Sequence, residues 1–473
     1  MKTIFVITAL ALLSAQAQQP LSVQFSDKSL YNAADHAGSP LGWLETDSSS
    51  LSANLSFRTY RLKSDDDKSI VNKSFAVPHL RLSNPGTIVF DLFYSPQIAH
   101  SEFGSLKTTL PLNRFGMGIA GGALNGILQA GIKVDMYVGK LSHDSFIENL
   151  PLVGTEERFI LGSDCVSVHI GSRIHELVGI GFYGGARGFL DSLRSQNPEV
   201  NQVRFFSGAF PLFGGFIDVG KTGFPVRSNF SMGGGYNRFV YTYKNGSSST
   251  DAPTIQGDSI GWNWITMADL GGNGLSLSPA LQVGYWRSSS ERFEPGPDNY
   301  PWQKGTAIPQ TEQKVSSFGM GMGLDADLFE YVICNLEYGF KNSSSENSSS
   351  DEKRWYHRTV LNLEGNLHKI DALRIPESMK LMLCAGFFNS FYNLNYDSWQ
   401  IESEHLQTSQ ERYLNSVYSD SRVAGFNTGV EASFIDGLFG INAQFYFFND
   451  QLSTRAKGPG FSLDLSCNLQ KSE

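Results

Sequence analysis

The C-terminal part of the chain alternates, residue by residue, between apolar or small side chains and polar ones. A period of two places successive side chains on opposite faces of a β-sheet. The apolar or small positions are Ala424, Phe426, Thr428, Val430, Ala432 and Phe434 in one run, Phe439, Ile441, Ala443, Phe445 and Phe447 in the next, and Phe461, Leu463, Leu465, Cys467 and Leu469 in the last. Each run is about ten residues long, which suits a strand that crosses a bilayer at a tilt, whereas strands of soluble sandwiches usually have about 5–6 residues. The three runs therefore predict membrane-spanning strands.

Turn residues separate these runs, and similar alternation recurs toward the N-terminus. Ile435-Asp436-Gly437 joins the first two runs, and an Asp-Gly pair between alternating segments is a strong hairpin signal. The earliest strand begins at Leu51, and the third one is expected to end at Pro96, because proline cannot donate to a β-ladder. The fold class predicted is all-β: a transmembrane antiparallel β-barrel of about 14 strands, with a range of roughly 14–18. The stretches 100–125 and 203–225 are left unassigned.

Connections between the predicted strands alternate in length. The short corners lie near 84–86, 174–177, 271–274, 325–329 and 435–437. The long, polar connections are 62–76, 141–163, 244–257, 287–313, 341–354 and 389–421. Short turns on one side and long loops on the other are typical of outer-membrane barrels, so the long loops are expected to face the cell exterior.

The first 50 residues predict export and a separate segment. A positive start, an apolar run from Ile4 to Leu13 and Ala15-Gln16-Ala17 form a secretory signal peptide over 1–17. No later window holds about 18 consecutive apolar residues, so a membrane protein of this sequence would have to cross with strands. Residues 18–50 show no alternation and are expected to plug the lumen, and 51–473 are expected to form the barrel.

Composition narrows the function classes. Gly accounts for 48 of 473 residues, aromatic residues for 12% and charged residues for only 18%, a balance that suits a barrel. Without Lys2 the chain has 37 − 1 = 36 basic and 46 acidic residues, a net charge of −10 that argues against a nucleic-acid partner. The four cysteines lie far apart and are expected to be wall residues without disulfides.

Sequence motifs of enzymes occur without the context that they need. Two segments beginning at Gly116 and Gly179 match GxGxxG, but neither joins a strand to an amphipathic helix. Gly257-Asp258-Ser259-Ile260-Gly261 matches GxSxG without an α/β-hydrolase pattern around it. The histidines are scattered rather than spaced as metal ligands. We therefore expect no enzyme activity, no metal and no cofactor.

Charged residues on the polar parity of the strands are the candidate lumen residues. They are Lys133, Asp135, His169, Glu337, Arg358, Glu364, Lys380 and Glu431. The simpler interpretation is that these side chains hydrate the lumen and pair with one another. The sharper one is that a subset sets ligand selectivity.

The N-terminal third carries a resemblance to a known family. A small-residue segment over 32–44 precedes a first strand, a strand containing Pro78, a tight turn and a strand over 87–96. This order resembles the long-chain fatty-acid transporter superfamily of outer-membrane β-barrels, although 37–41 only partly matches that superfamily's Asn-Pro-Ala-Gly hatch motif. The resemblance implies a 14-stranded barrel with a lumenal N-terminal hatch and a kinked third strand that opens sideways to the membrane. It adds Leu41, Trp43, Leu44, Tyr94 and Pro96 to the candidate ligand path.

Taken together, these patterns predict an outer-membrane β-barrel of a Gram-negative bacterium, monomeric and in contact with outer-membrane lipid. Its expected function is passive passage of small, hydrophobic molecules. One alternative is a non-transporting barrel that acts as a binding or scaffold protein for a secreted or periplasmic partner. A second alternative is a soluble secreted β-protein.

Overall fold

The computed structural model describes most of the chain after residue 49. The described residues are 50–64, 69–84, 88–103, 106–123, 128–144, 155–175, 177–195, 202–220, 224–245, 248–251, 254–272, 274–294, 306–309, 311–347, 350–401, 412–450 and 456–470. The predicted signal peptide and most of the predicted plug, including Leu41, Trp43 and Leu44, lie outside these residues.

Antiparallel β-strands make up almost all of the described chain. The first ten strands are β1 (Ser50–Ser64), β2 (Ser69–Asn84), β3 (Ile88–Phe103), β4 (Leu106–Ala123), β5 (Leu128–Asp144), β6 (Thr155–His175), β7 (Val178–Ser195), β8 (Gln202–Val219), β9 (Val226–Asn245) and β10 (Ser248–Asp251). The other ten are β11 (Thr254–Ala268), β12 (Leu270–Gly272), β13 (Leu275–Phe293), β14 (Gln313–Leu328), β15 (Val332–Asn347), β16 (Ser350–Asn366), β17 (Met379–Ile401), β18 (Arg412–Phe434), β19 (Phe439–Asp450) and β20 (Ala456–Gln470). The described helical segments are two 3₁₀ turns, Leu367–Lys369 and Asp371–Leu373.

Each long strand pairs with the next along the chain, and the last pairs with the first. The short strand β10 pairs with the end of β9, and the short strand β12 pairs with the start of β13. The long strand β11 pairs directly with both β9 and β13. Strand β20 pairs with β1 from Gln470 opposite Ser50 to Ala456 opposite Ser64. Of the twenty described strands, the eighteen that remain without β10 and β12 each have a strand on both sides. The barrel therefore has more strands than the central prediction and lies at the top of the predicted range.

The additional strands come from stretches that were left unassigned or assigned to loops. Strand β4 lies within 100–125, and β8 covers the first part of 203–225, as far as Val219. The predicted long loop 389–421 is wrong over most of its length, because β17 reaches Ile401 and β18 starts at Arg412. In the sequence of β17, Asn393, Asn395 and Asp397 fall on the same parity as the outward-facing Phe387, so the alternation that reveals a strand facing lipid is lost there.

The same correction applies to the serine-rich segment of the predicted loop 341–354. Strands β15 and β16 continue through it and pair as far as Asn347 opposite Ser350. Each of these two strands has more residues, 16 and 17, than the roughly 9–11 that span a bilayer. The hairpin therefore extends beyond the length that a membrane crossing requires.

The prediction that the third strand ends at Pro96 is wrong. Strand β3 runs on to Phe103, with Pro96 opposite Asn113 of β4. In the ladder on the other side of β3, Val77 of β2 pairs with Tyr94 and Ser74 pairs with Gln97. Ser95 and Pro96 are skipped in this ladder, next to a β-bulge in β2. Proline has no N–H to donate but is tolerated beside bulges, so only one of the two ladders is interrupted.

Register and exposure separate an outward face from a lumen face. On β18, Phe426 is 56% exposed while its neighbour Asn427 is 9% exposed, and on β19 Phe445 is 62% exposed. Across the next ladder, Phe445 lies opposite Phe461, with ring centroids 5.1 Å apart. The faces predicted for the last three strands are confirmed: apolar side chains point outward and polar ones point to the lumen.

Two short turns have left-handed backbone at residues other than glycine. The predicted corner at 435–437 is confirmed as a turn, in which Ile435 and Asp436 have φ of 54° and 53°. In the turn between β14 and β15, Phe329 and Glu330 have φ of 57° and 61°. Such φ values are uncommon for non-glycine residues, especially β-branched ones. These turns connect strands on the side of the barrel that carries the short corners.

Among the described residues, no helix is long and apolar enough to cross a membrane.

Candidate functional site

The lumen wall from β13 to β20 carries the candidate site, and its residues lie in rows that cross the strands. One row passes from Ser278 of β13 through Asp325, Asn335, Asn362 and Gly386 on the next four strands. Because side chains opposite each other on neighbouring strands share a face, each row is a strip of the lumen surface.

Side-chain hydrogen bonds run along this row and its neighbour, in what we call the amide belt. The belt consists of Asp325, Asn335, Asn362, Asn427, Asn442, Gln444, Tyr446 and Ser462. Asn335 Nδ2 donates to Asp325 Oδ1 at 2.5 Å, and Asn362 Nδ2 donates to Asn335 Oδ1 at 3.4 Å. Amide groups that bond to one another satisfy polar atoms that would otherwise be costly to bury.

The far half of the amide belt is joined through Gln444. Its Oε1 accepts from Asn427 Nδ2 at 3.3 Å and from the Tyr446 hydroxyl at 2.8 Å, and its Nε2 donates to Asn442 Oδ1 at 3.1 Å. The Tyr446 hydroxyl also lies 2.8 Å from Ser462 Oγ. Ser462 is only 1% exposed, so this hydrogen bond is shielded from water.

Glycine holds the two halves of the amide belt close together. A Cβ atom at Gly386 would lie 2.1 Å from Asn427 Oδ1 and 2.5 Å from Asn362 Oδ1. At Gly429, a Cβ atom would lie 2.4 Å from the carbonyl oxygen of Ala443. Real Cβ atoms do not approach other atoms this closely. At Gly429 the close atom belongs to the backbone, so this position needs glycine for packing, whereas at Gly386 the two asparagine side chains would have to shift.

Acidic side chains flank the amide belt. Glu364 is within electrostatic range of Glu431 and Asp325, and Glu431 is within range of Asp464. In the row next to the amide belt, Glu337 is buried between Gly323 and Val360. This part of the lumen is therefore rich in acidic side chains.

A recess of about 420 Å³ opens beside the amide belt, where the wall between β13 and β16 has few side chains. Gly284 lies opposite Gly319, and Gly321 lies opposite Gly339, which forms a floor of bare backbone. The lumen-side lining of the recess also includes Asn263, Gln282, Trp286, Ser317, Glu337, Lys341, Tyr356, Arg358 and Val360. The wall is one backbone thick at the glycines, and residues of the outward-facing parity such as Met320 also belong to the lining.

The structure brings together two of the charged residues predicted from sequence. Arg358 lies opposite Gly339 and Glu337 lies opposite Val360, so the two side chains are diagonal neighbours at the edge of the recess. Glu431 lies three strands from Glu337, among the acidic residues beside the amide belt. All three share the face of Asn335, Asn362 and Asn427, and their part in a ligand path stays a prediction.

The other predicted positions are not joined to this site by any described contact. Lys133 lies in β5 opposite Gly118 and Ser167, and Asp135 lies two residues further along the same strand. Tyr94 and Pro96 lie in β3. The side chains of these four residues lie outside what the structure describes, so their part in a ligand path stays a prediction.

Sequence reasoning missed Lys341 and the glycine floor. Lys341 was assigned to a loop, whereas it lies in β15 opposite Gly319 and Tyr356. The signal for the floor was present in the Gly-x-Gly spacing of β14, but only the register shows that these glycines adjoin Gly284 and Gly339. The described residues contain no group of three or more His, Cys, Asp or Glu that could hold a metal ion.

Comparisons with known proteins return distant structural similarity only. No protein-family model and no curated protein matches the chain. Among solved structures, the outer-membrane transporter YddB of Escherichia coli is 10% identical, with a TM-score of 0.42 over 88% of this chain and 80% of its own. The ferric yersiniabactin uptake receptor FyuA of Yersinia pestis is 6% identical, with a TM-score of 0.42 over 90% and 80% of the two chains. The outer membrane protein opdK of Pseudomonas aeruginosa is 9% identical, with a TM-score of 0.33 over 89% and 99%.

These likenesses are too distant to carry a residue's role over to this chain. They are also not specific to fatty-acid transporters, so that resemblance stays a prediction.

Proposed function

We propose that this chain is an outer-membrane β-barrel through which small molecules pass passively. The observation that carries the proposal is the inverted polarity of the strands. Large apolar side chains such as Phe426 and Phe445 are exposed on the outside, while Asn427 and Ser462 are buried on the inside. Extended apolar surfaces of this kind mark contact with a membrane or another protein, and a barrel satisfies its backbone hydrogen bonds within a bilayer.

The lining of the lumen bears on the class of molecule. Around the amide belt and the recess it offers amides, carboxylates, hydroxyls and bare backbone, all of which bond to polar solutes. Water-soluble small molecules are therefore the cargo that this wall favours. Ile265, Met267 and Ala280 form a small buried apolar cluster on the same wall, beside Gln282, and do not change that character.

Hydrophobic cargo, expected from the sequence, has one supporting observation. The β2–β3 ladder skips Ser95 and Pro96, which leaves a local interruption of backbone pairing in the wall. An interruption between strands is where an apolar molecule could leave the lumen sideways into lipid. This second candidate differs from the first in the exit route and in the polarity of the solute.

Membrane insertion is tested first, with two lysine substitutions on one strand. Phe445→Lys puts a charge on the outward face and should destabilise the barrel by about 2–4 kcal/mol if the site lies near the bilayer midplane. Asn442→Lys is the matched control, because Asn442 faces the lumen between Glu431 and Asp464. We expect Phe445→Lys to lose the heat-modifiable folded band in membrane fractions, and Asn442→Lys to keep it.

Equal damage from both substitutions would contradict the assignment of the faces. A chain that stays soluble without detergent would favour the secreted β-protein instead.

Passage is tested with the full chain in liposomes. We expect swelling in isotonic solutions of small neutral sugars, at rates that fall as the sugar becomes larger. Uptake of a fluorescent fatty acid tests the hydrophobic alternative, and Pro96→Val, which restores a ladder donor, should slow that uptake alone. Inserted protein that allows neither process would contradict the passage proposal and favour the scaffold role.

A further inference from the structure

We propose that the recess between β13 and β16 binds a small planar organic anion, with its acidic group between Lys341 and Arg358 and its ring on the glycine floor. This inference rests on the proposed function, since it places a binding site on the lumen surface that a permeating solute meets. It adds a ligand class that the polar lining alone does not specify.

Two glycines of the floor, Gly319 and Gly339, are the first observation, because packing does not explain them. A Cβ atom at Gly339 would have nothing within 4 Å, and one at Gly319 would meet only the carbonyl oxygen of Phe340 at 3.6 Å. Glycine inside a strand costs about 0.5–1 kcal/mol relative to alanine. It often marks a place where a ligand approaches the backbone closely. The empty space above these two glycines therefore points to an occupant.

The charges at one edge of the recess define the sign of that occupant. Lys341 lies opposite Tyr356 and Arg358 lies opposite Gly339, so the two cations are diagonal neighbours on one face. Such neighbours are about 7–8 Å apart, close enough for one acidic group to contact both. Neither forms an ion pair with another residue that the structure describes.

Among the described residues that line the recess, Glu337 is the one carboxylate, and it lies buried on the other diagonal of Arg358. Two cations and one carboxylate leave the recess with a net positive charge in a lumen that is acidic around the amide belt. Arginine can also bind a carboxylate through two parallel hydrogen bonds, which favours that group over a spherical anion.

The shape of the recess favours a flat body behind the acidic group. Bare peptide planes form its floor, and Trp286, 42% exposed, stands at its edge on the same face. An aromatic ring can lie against peptide planes and meet the Trp286 ring at an angle, an arrangement that aromatic pairs prefer. A volume of about 420 Å³ is within the range of small-molecule sites, roughly 300–1,000 Å³.

The test uses the full chain in detergent micelles and three probes: benzoate, benzamide and acetate. Benzamide keeps the ring without the charge, and acetate keeps the charge without the ring. Titration calorimetry should give the tightest binding for benzoate. We expect the Lys341→Gln/Arg358→Gln double variant to weaken benzoate binding at least tenfold, while Lys353→Gln, which removes a cation on the outward face of β16, leaves it unchanged.

A second variant separates the floor from the charges. Gly339→Leu fills the recess and keeps both cations, so benzoate should bind no more tightly than acetate does. Gly339→Ala is the milder version should the leucine impair folding, as judged from the heat-modifiable band. Benzoate binding that is unchanged in both the double variant and the filled variant would overturn the proposal, as would equal binding of benzoate and benzamide.

Failure of this inference is distinguishable from failure of the proposed function. Binding in micelles requires no passage, and swelling with neutral sugars requires no anion site. A protein that passes sugars but does not bind benzoate contradicts the recess alone. A protein that binds benzoate but stays impermeable contradicts passage and leaves the recess standing.

Discussion

The recess and the amide belt share strands of the lumen wall, yet they use glycine for opposite purposes. At Gly386 and Gly429 of the amide belt, neighbouring side chains and backbone fill the space that a Cβ atom would need. At Gly319 and Gly339 of the recess, that space is open. The comparison teaches that glycine-rich strands carry two kinds of glycine, one required for packing and one that leaves room in the lumen.

The side chains of the amide belt are also more closely linked to one another than those of the recess. Side chains of the amide belt bond to one another across neighbouring strands, so the wall there is cross-linked as well as filled. In the recess, Lys341 and Arg358 make no ion pair within the described part of the chain. We expect the amide belt to determine stability and the recess to determine what binds.

The largest expected effect comes from adding one methyl group to each kind of glycine. Gly429→Ala places a Cβ atom 2.4 Å from the Ala443 carbonyl oxygen and 3.0 Å from the Gln444 Cα atom, both of which are backbone atoms that cannot rotate away. Forcing extra volume into a packed site typically costs about 1–3 kcal/mol. Gly339→Ala meets nothing within 4 Å and should leave stability unchanged or slightly raised.

Samples of both variants are heated to increasing temperatures before electrophoresis, and the temperature at which the folded band disappears measures their stability. A smaller loss for Gly429→Ala than for Gly339→Ala would break the distinction between the two kinds of glycine.

A smaller effect is expected from removing one hydroxyl of the amide belt. Tyr446→Phe loses the bonds to Gln444 Oε1 and Ser462 Oγ, each 2.8 Å long, and should destabilise the barrel by about 1–2 kcal/mol. Tyr338→Phe is the matched control on the outward face, where the hydroxyl lies 2.8 Å from His357 Nδ1 alone. Denaturant titration of the two variants should show the greater loss at Tyr446.

Ser462→Ala tests whether that loss belongs to the hydrogen bond. If the bond between Tyr446 and Ser462 is responsible, the double variant loses less stability than the sum of the single variants. Strict additivity would mean that the two side chains stabilise the wall independently.

What the sequence predicts well is the part of the fold that depends on neighbours along the chain. The alternation at 439–447 assigns Phe445 to the outside and Asn442 to the lumen, and the structure agrees. Asp436-Gly437 likewise predicts its turn, because two residues suffice to define it. The period of two and the residue types of a turn are local properties, so a single stretch of sequence is enough to predict them.

Other features depend on pairing between strands, so a single stretch of sequence does not predict them. The end of β3 at Pro96 was predicted wrongly, because whether a proline interrupts a strand depends on which neighbour needs its N–H. Likewise, parity placed Glu337 and Arg358 on the lumen face, but only the register between β15 and β16 makes them diagonal neighbours. The recess is missed for the same reason, since its floor draws its glycines from three strands, β13, β14 and β15.

The smallest expected effect concerns an exposed ion pair that braces two short turns below the amide belt. Lys369 Nζ donates to Glu330 Oε2, which ties the 3₁₀ turn after β16 to the turn between β14 and β15.

The hydrogen bond and charge of Lys369 hold the pKa of Glu330 below its ordinary value of 4.5, and the same bond and the charge of Glu330 raise the pKa of Lys369 above 10.5. For Glu330, whose folded-state pKa is lowered, the stabilisation is full above 4.5 and is lost as pH falls through the lowered value. For Lys369, the stabilisation is full below 10.5 and is lost as pH rises through the raised value.

Both groups are at the surface, so water and salt screen the pair. We therefore expect Lys369→Met to lower the melting temperature at pH 7 by less than Tyr446→Phe does, and to lower it less still at pH 3 or in high salt. Lys314→Met, which removes a more exposed lysine paired with Glu312 at the other end of β14, is the control for loss of a surface charge. A loss for Lys369→Met that matches Tyr446→Phe at every pH would show that the turns, and not the amide belt alone, hold this wall together.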